Sequence, residues 1–213
     1  MNKPSILLAD DHTLFVEALH NVLEPEFTLV GEVGDGRALL EAAPRLLPDV
    51  ILLDLSMPLL NGIDAAYQLK RLVPDTKLLF LSMHGDATYV TEAFRAGAAG
   101  YVLKRSTATE LLQAIRAVLR GQLYVSPMLA KDMLHPLLHS KRSVSAPQKQ
   151  LTIRQREVLQ LVAEGRSLKE IATILCVSVK TVEFHKTRIV KQLGLSTTAD
   201  LTKYAVTHGL VPI

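Results

Sequence analysis

Cysteine, tryptophan and long apolar runs are scarce or absent in this chain of 213 residues. The single cysteine, Cys176, excludes a disulfide within the chain and is typical of proteins from a reducing compartment. The sequence opens without a secretory apolar core, and no apolar run approaches the roughly 20 residues that a membrane span needs. We therefore expect a cytoplasmic protein with no membrane partner.

Charge is distributed unevenly along the chain. Residues 1–124 carry 11 Lys+Arg and 15 Asp+Glu, a net charge of −4, whereas the remaining 89 residues carry a net charge of +7. The hydrophobic content of 48% is ample for packed cores without disulfides or metal staples. This asymmetry predicts two domains, the second of which binds a polyanion.

Short apolar runs alternate with amphipathic helical patterns up to about residue 120. Strands are predicted at 5–9, 28–33, 50–53, 77–81 and 100–103, and helices at 13–23, 36–46, 63–72, 86–96 and 107–120. This order predicts an α/β fold, a doubly wound parallel sheet of five strands with helices on both faces.

The alternation stops after Gly121, and the composition changes. The polar, basic stretch "SKRSVSAPQKQ" at 140–150 is typical of a linker, and a further helix could occupy 127–139. We expect a first domain at 1–122, a linker at 123–150 and a small all-α domain at 151–213. Its four helices are predicted at 153–164, 168–175, 179–193 and 197–208.

Five polar residues follow predicted strands at the point where each strand ends. They are Asp10 and Asp11, Asp54, Ser82 and Lys104. Ligands of doubly wound sheets bind beyond the carboxyl ends of the strands, so these side chains are expected to share one crevice. Carboxylates that close together need a cation, and oxygen ligands are those that Mg²⁺ prefers.

The same residues, with "MPLLNG" after Asp54 and "GAAGYVLK" at the last strand, resemble the receiver domain of bacterial two-component response regulators. The resemblance implies a flavodoxin-like fold in which Asp54 accepts a phosphoryl group from a phosphohistidine of a sensor kinase. It also implies that Asp11, Asp54 and the Ser56 backbone carbonyl bind Mg²⁺, while Asp10 acts mainly through water.

The resemblance implies roles for three further side chains. Lys104 would pair with the acyl phosphate, and the Ser82 hydroxyl would donate to a phosphoryl oxygen. Tyr101 resembles the aromatic switch residue of the family, which moves inward on phosphorylation. Ser56 and His84 flank the site and are expected to tune the lifetime of the phosphorylated form.

The predicted helix at 179–193 has the features of a DNA-recognition helix. Val182, Ile189 and Leu193 fall on one side and are expected to face the core. An exposed Phe184 among cations suits a major groove, where aromatic edges meet thymine methyls while Arg188 and other cations hold phosphates or guanine. A solvated charged face is the alternative.

The segments "LTIRQREVL" and "SVKTVEFHKTRIVKQL" resemble the DNA-binding domain of LuxR/NarL/FixJ-type regulators. The resemblance implies a helix-turn-helix, and it implies that the last helix pairs two copies, although Leu201, Tyr204 and Ala205 could equally pack inward. Cys176 is expected to be a small buried residue. The expected DNA contacts are Lys180, Thr181, Glu183, Phe184, Lys186, Thr187, Arg188 and Lys191.

Together these features predict a DNA-binding transcriptional response regulator, not an enzyme, that is phosphorylated on Asp54. The expected partners are a sensor histidine kinase, double-stranded DNA and a second copy of the chain, with RNA polymerase as a candidate. Two alternatives are a regulator that works without phosphorylation and a phosphatase of the haloacid dehalogenase type. The phosphatase has a D-x-D pattern at its first strand, which "ADDHT" lacks.

Overall fold

The first part of the chain folds as an alternating series of strands and helices. The computed structural model describes residues 3–130 and 151–211. The first eleven elements are β1 (Ser5–Ala9), α1 (Thr13–Leu23), β2 (Thr28–Val33), α2 (Gly36–Leu46), β3 (Val50–Asp54), α3 (Gly62–Leu72), β4 (Lys77–Ser82), α4 (Ala87–Arg95), β5 (Gly100–Leu103), α5 (Ala108–Leu119) and β6 (Tyr124–Val125).

The strands form one parallel sheet with the order β2-β1-β3-β4-β5-β6. The central strand β3 is buried along its whole length, in agreement with its apolar sequence, because helices cover both faces of the sheet. The chain leaves β1 toward β2 and then returns to β3. A crevice therefore opens beyond the carboxyl ends of β1 and β3.

The sheet contains one strand more than the five predicted. The two residues of β6 pair with β5 beyond the expected domain end at residue 122, and the Ser126 amide donates to the Tyr101 carbonyl at 3.0 Å. Leu129 then packs into the core beside α4. Residues 127–130 begin the helix predicted at 127–139, and the rest of that prediction lies outside the described residues.

The second part of the described chain is entirely helical. Its elements are α6 (Ile153–Ala163), α7 (Leu168–Ile174), α8 (Val179–Leu193) and α9 (Thr198–Thr207). Hydroxyl side chains cap all four helices, and Thr152 and Gln155 form the capping box that the sequence indicates. The predicted boundaries of these four helices agree with the structure to within one residue at every end.

The connection between α7 and α8 is a tight turn at Cys176. Cys176 is exposed and has a left-handed φ of 53°, so the prediction that it is buried was wrong. The turn directs the Cys176 side chain to solvent, while Ile171, Val182 and Ile189 fill the core between the two helices. Among the described helices, none is long and apolar enough to cross a membrane.

Candidate functional site

Three carboxylates converge at the crevice between β1 and β3. Asp10, Asp11 and Asp54 each place an oxygen within 4.8 Å of the others, together with a ring nitrogen of His12. Asp10 and Asp54 are buried, whereas Asp11 reaches solvent. This set of hard oxygen donors suits Mg²⁺, which also keeps several of its waters.

The ammonium group of Lys104 balances the charge of the two buried carboxylates. Its Nζ lies 2.8 Å from Oδ2 of Asp10 and 2.9 Å from Oδ2 of Asp54. The parallel register brings it there, because β5 ends beside β4 and the Lys104 amide donates to the Ser82 carbonyl at 2.9 Å. A cation delivered on a flexible stem can follow a charge that is later placed on Asp54.

Asp54 is held in one orientation and is shielded from solvent. Only 3% of its side chain is exposed, and its Oδ1 accepts from the Leu55 amide at 2.7 Å. Burial raises the pKa of Asp54 above its ordinary value, and the charge of Lys104 offsets part of that effect. The arrangement presents one fixed carboxylate to a reactant that enters from the crevice.

His12 also belongs to this cluster, although nothing in the sequence predicts a role for it. Its Nδ1 lies 2.9 Å from Oδ1 of Asp10 and 3.0 Å from Oδ1 of Asp11, and it is 3.9 Å from Oδ2 of Asp54. The sequence signal for its place in the cluster is that it directly follows the paired aspartates. The spacing of apolar residues does not predict the direction of the His12 ring, which lies near Asp54.

Ser82 and Tyr101 meet at the backbone of one residue. The His84 amide donates to Ser82 Oγ at 3.1 Å, and the Tyr101 hydroxyl donates to the His84 carbonyl at 2.8 Å. Tyr101 is fully buried and stacks on Phe80, and this burial raises the pKa of its phenol. The ring thus already lies in the inward position.

Ser56 lies in the loop that follows Asp54. Its hydroxyl is 3.3 Å from Nε2 of His84, so the two residues expected to tune the site are in contact. The role of its backbone carbonyl as a metal ligand stays a prediction. The structure thus brings Asp10, Asp11, Asp54 and Lys104 together. Ser56, Ser82 and Tyr101 each contact His84.

The second candidate site is the outer face of α8. Val182 and Ile189 are buried in the helical core, whereas Phe184 is 56% exposed. The Arg188 guanidinium lies 5.4 Å from the centre of the Phe184 ring, and both residues are exposed. The predicted DNA contacts are all exposed or half-buried, namely Lys180, Thr181, Glu183, Phe184, Lys186, Thr187, Arg188 and Lys191.

Two family models match the two halves of the chain. The model of the response regulator receiver domain matches residues 6–116. The model of bacterial regulatory proteins of the luxR family matches residues 149–205. The boundaries agree with the acidic and basic halves of the sequence.

Known proteins resemble the chain over its whole length. The transcriptional regulatory protein DegU of Brevibacillus brevis is 34% identical, with 100% of this chain and 97% of DegU covered. The oxygen regulatory protein NreC of Staphylococcus carnosus is 35% identical, with 97% of this chain and 98% of NreC covered.

A solved structure shows the same two-part architecture. The RcsB response regulator of Salmonella typhimurium is 28% identical, covers 98% of this chain and 99% of its own, and superposes with a TM-score of 0.66. RcsB has also been solved as a complex with DNA, and that structure superposes with a TM-score of 0.59.

Proposed function

Because the chain belongs to the response regulators that join a receiver domain to a LuxR-type DNA-binding domain, we propose that Asp54 is its phosphoacceptor. The chain is a transcription regulator of a two-component system and not an enzyme, so the phosphatase alternative is wrong. The observation that carries the proposal is the buried Asp54 carboxylate, held 2.9 Å from the ammonium of Lys104 in the acidic crevice.

The reaction requires one nucleophilic oxygen and a means of stabilising negative charge. A carboxylate oxygen of Asp54 forms a bond to the phosphorus of a phosphohistidine, while the phosphorus–nitrogen bond breaks and its electron pair leaves with the imidazole. Lys104 and the Ser82 hydroxyl then bind phosphoryl oxygens. No other covalent step is needed.

The acidic residues around Asp54 are suited to hold Mg²⁺ beside it. Asp11, Asp54 and the Ser56 carbonyl would be direct ligands, and Asp10 would act through water. When bound, the ion supplies positive charge that offsets the phosphoryl oxygens. Without it, Lys104 is the cation that balances Asp10 and Asp54.

We further propose that α8 reads double-stranded DNA and that two copies bind together. Phe184 and Arg188 would reach base edges, and the other exposed polar residues of α8 would contact phosphates. Leu201 and Ala205 pack into the helical core, so pairing through α9 would use its remaining surface. A sensor histidine kinase supplies the phosphoryl group, the cytoplasm is the expected location, and RNA polymerase is a candidate partner.

A labelling experiment tests the assignment of Asp54. We expect the full chain to gain one phosphoryl group by intact mass when it is incubated with acetyl phosphate and Mg²⁺, and Asp54→Asn to gain none. Asp75→Asn is the matched control, because Asp75 is an exposed aspartate at the opposite end of the sheet. Retention of the label by Asp54→Asn would refute the assignment.

A further inference from the structure

His12 occupies the N-cap position of α1, yet its side chain does not cap the helix. The helices α2–α9 each begin after a residue whose side chain accepts from a backbone amide of the first turn. Histidine is not among the residues preferred at this position. The chain thus forgoes a side-chain cap at α1, and the His12 imidazole faces the acidic crevice instead.

The Nδ1 atom of His12 lies at the spacing expected of a metal ligand in this crevice. It is 2.9 Å from Oδ1 of Asp10 and 3.0 Å from Oδ1 of Asp11. Ligand atoms that share one ion through bonds of about 2.1 Å lie roughly 3.0–3.4 Å apart, so these atoms need little movement to bind one ion together. Nδ1 also lies 3.3 Å from Nζ of Lys104, and it therefore already faces a cation.

The donor set around Asp54 contains nitrogen as well as oxygen. Oδ2 of Asp54 is 3.9 Å from Nδ1 of His12, and the four residues Asp10, Asp11, His12 and Asp54 each offer one ligand atom within 4.8 Å of the others. Carboxylates and waters suit Mg²⁺, whereas an imidazole nitrogen suits ions such as Zn²⁺. The residues therefore fit a mixed nitrogen and oxygen site as well as a site of oxygen alone.

The imidazole lies at the open end of the crevice. The His12 side chain is 60% exposed, whereas the side chains of Asp10 and Asp54 are at most 5% exposed. The ring can therefore turn toward an ion without unpacking the core of the receiver. Nitrogen ligation at this position needs no rearrangement of the fold.

We propose that His12 is a nitrogen ligand through which the Asp54 pocket binds a zinc-class ion, a divalent ion of the later first transition row, in competition with Mg²⁺. The inference deepens the proposed function, because it concerns the same pocket and rests on Asp54 as the phosphoacceptor. Imidazole is a softer donor than water or a carboxylate, and it therefore strengthens the binding of zinc-class ions more than that of Mg²⁺.

Occupancy by a zinc-class ion should slow phosphorylation of Asp54. Mg²⁺ keeps several waters, and phosphoryl oxygens can replace them. An ion that is also bound by His12 has one position fewer for those oxygens. Zinc-class ions therefore inhibit phosphoryl transfer to Asp54, and the inhibition depends on His12.

The test compares the full chain with two variants by calorimetry. His12→Asn replaces Nδ1 by an amide oxygen and supplies a good N-cap for α1. His20→Asn is the matched control, because His20 also contacts two carboxylates, those of Glu24 and Glu32, but does not belong to the acidic cluster. Titration with Mg²⁺, and with Zn²⁺ in the absence and presence of excess Mg²⁺, gives the affinity of each ion for the shared pocket.

We expect His12→Asn to weaken Zn²⁺ binding in the pocket at least about tenfold, because the nitrogen ligand is lost. Its Mg²⁺ affinity should stay within about twofold of the wild type, because an amide oxygen or a water can take the same position on Mg²⁺. His20→Asn should match the wild type for both ions.

Two further measurements separate ligation from an indirect effect. In long-range ¹H–¹⁵N NMR spectra, the Nδ1 resonance that disappears in His12→Asn should shift when Zn²⁺ is added to the wild type and stay in place with Mg²⁺. In labelling with acetyl phosphate at fixed Mg²⁺, His12→Asn should need at least about tenfold more Zn²⁺ for half-inhibition, each protein being compared with its own rate without Zn²⁺.

Each other result overturns the proposal. Equal Zn²⁺ affinity of wild type and His12→Asn, or an unshifted Nδ1 resonance, shows that His12 is not a ligand. Parallel weakening of both ions shows that His12 only positions the aspartates, and an equal loss in His20→Asn places the Zn²⁺ on the surface of α1. Binding without inhibition shows that Zn²⁺ does not compete in the pocket. Failure of the wild type to accept a phosphoryl group in Mg²⁺ refutes the role of Asp54 instead, while calorimetry and NMR still test His12.

Discussion

The Nζ of Lys104 lies 2.9 Å from Oδ2 of Asp54, and at most 5% of either side chain is exposed. This buried ion pair, shared with Asp10, lets two carboxylates sit side by side at the end of adjacent strands. The receiver is therefore built around a charge balance that phosphorylation would disturb, because a phosphoryl group adds negative charge beside Lys104.

Removal of this cation should destabilise the receiver. We expect Lys104→Met to lower the free energy of unfolding by about 3–5 kcal/mol, because Asp10 and Asp54 lose their buried counter-charge. Urea unfolding at neutral pH without divalent metal gives the value. Lys3→Met, at an exposed position, should stay within about 0.5 kcal/mol of wild type, and an equally small change at Lys104 would contradict the charge balance.

The close approach of α3 to Asp54 predicts a strong effect of one methyl group. Gly62→Ala should lower the free energy of unfolding by about 1–3 kcal/mol, because the added Cβ would lie 2.1 Å from the Asp54 carbonyl oxygen. Gly34→Ala is the matched control, since its nearest atom outside adjacent residues is 3.9 Å away. Equal stabilities of the two variants would show that the backbone at Gly62 is not packed tightly against Asp54.

The hydroxyl of Tyr101 should stabilise the inward position of its ring. Tyr101→Phe keeps the stacking on Phe80 but removes the 2.8 Å hydrogen bond to the His84 carbonyl. We expect a loss of about 0.5–1.5 kcal/mol in the free energy of unfolding, because the half-buried His84 carbonyl loses this donor. Tyr124→Phe is the control, since the Tyr124 ring is only half-buried, and it should change stability less. The reverse order would show that the hydrogen bond of Tyr101 does not stabilise the receiver.

The outer face of α8 predicts two kinds of DNA variant. Lys191→Ala should weaken binding to all sequences and reduce the slope of log K against log salt by about one, as expected for a lost phosphate contact. Phe184→Ala should weaken binding without a change in slope, because an apolar base contact releases no counterion. Fluorescence anisotropy over a salt series measures both. Lys77→Ala in the receiver is the control and should bind DNA as the wild type does. Unchanged affinity of both α8 variants would refute the assignment of α8.

Periodicity was sufficient to predict the elements that form the cores. The strands β1–β5 and the helices α1–α9 follow from apolar spacing and capping residues. Asp54 and Lys104 meet because parallel strands end at one edge of the sheet. The two-residue strand β6 was missed because two residues carry no period. Cys176 was placed wrongly because residue type does not determine which side of a turn faces solvent.

The contact between the domains could not be read from the sequence. Gln160 is fully buried, yet on a helix it looks like part of a solvated face. Its partners in the receiver are the backbone amide and side chain of Asn61 and the backbone carbonyl of Met57, which lie about 100 residues away in the sequence. Such an interface becomes visible only when three-dimensional proximity is known, because its signal lies in the geometry and not in residue type.

The central claim is that a phosphoryl group on Asp54 controls the DNA-binding domain. The most direct measurement is the DNA affinity of the full chain, before and after phosphorylation by acetyl phosphate in Mg²⁺, with Asp54→Asn treated in the same way. We predict tighter binding by the phosphorylated wild type and no change for Asp54→Asn. Equal affinity of the unmodified and fully phosphorylated wild type would contradict the account.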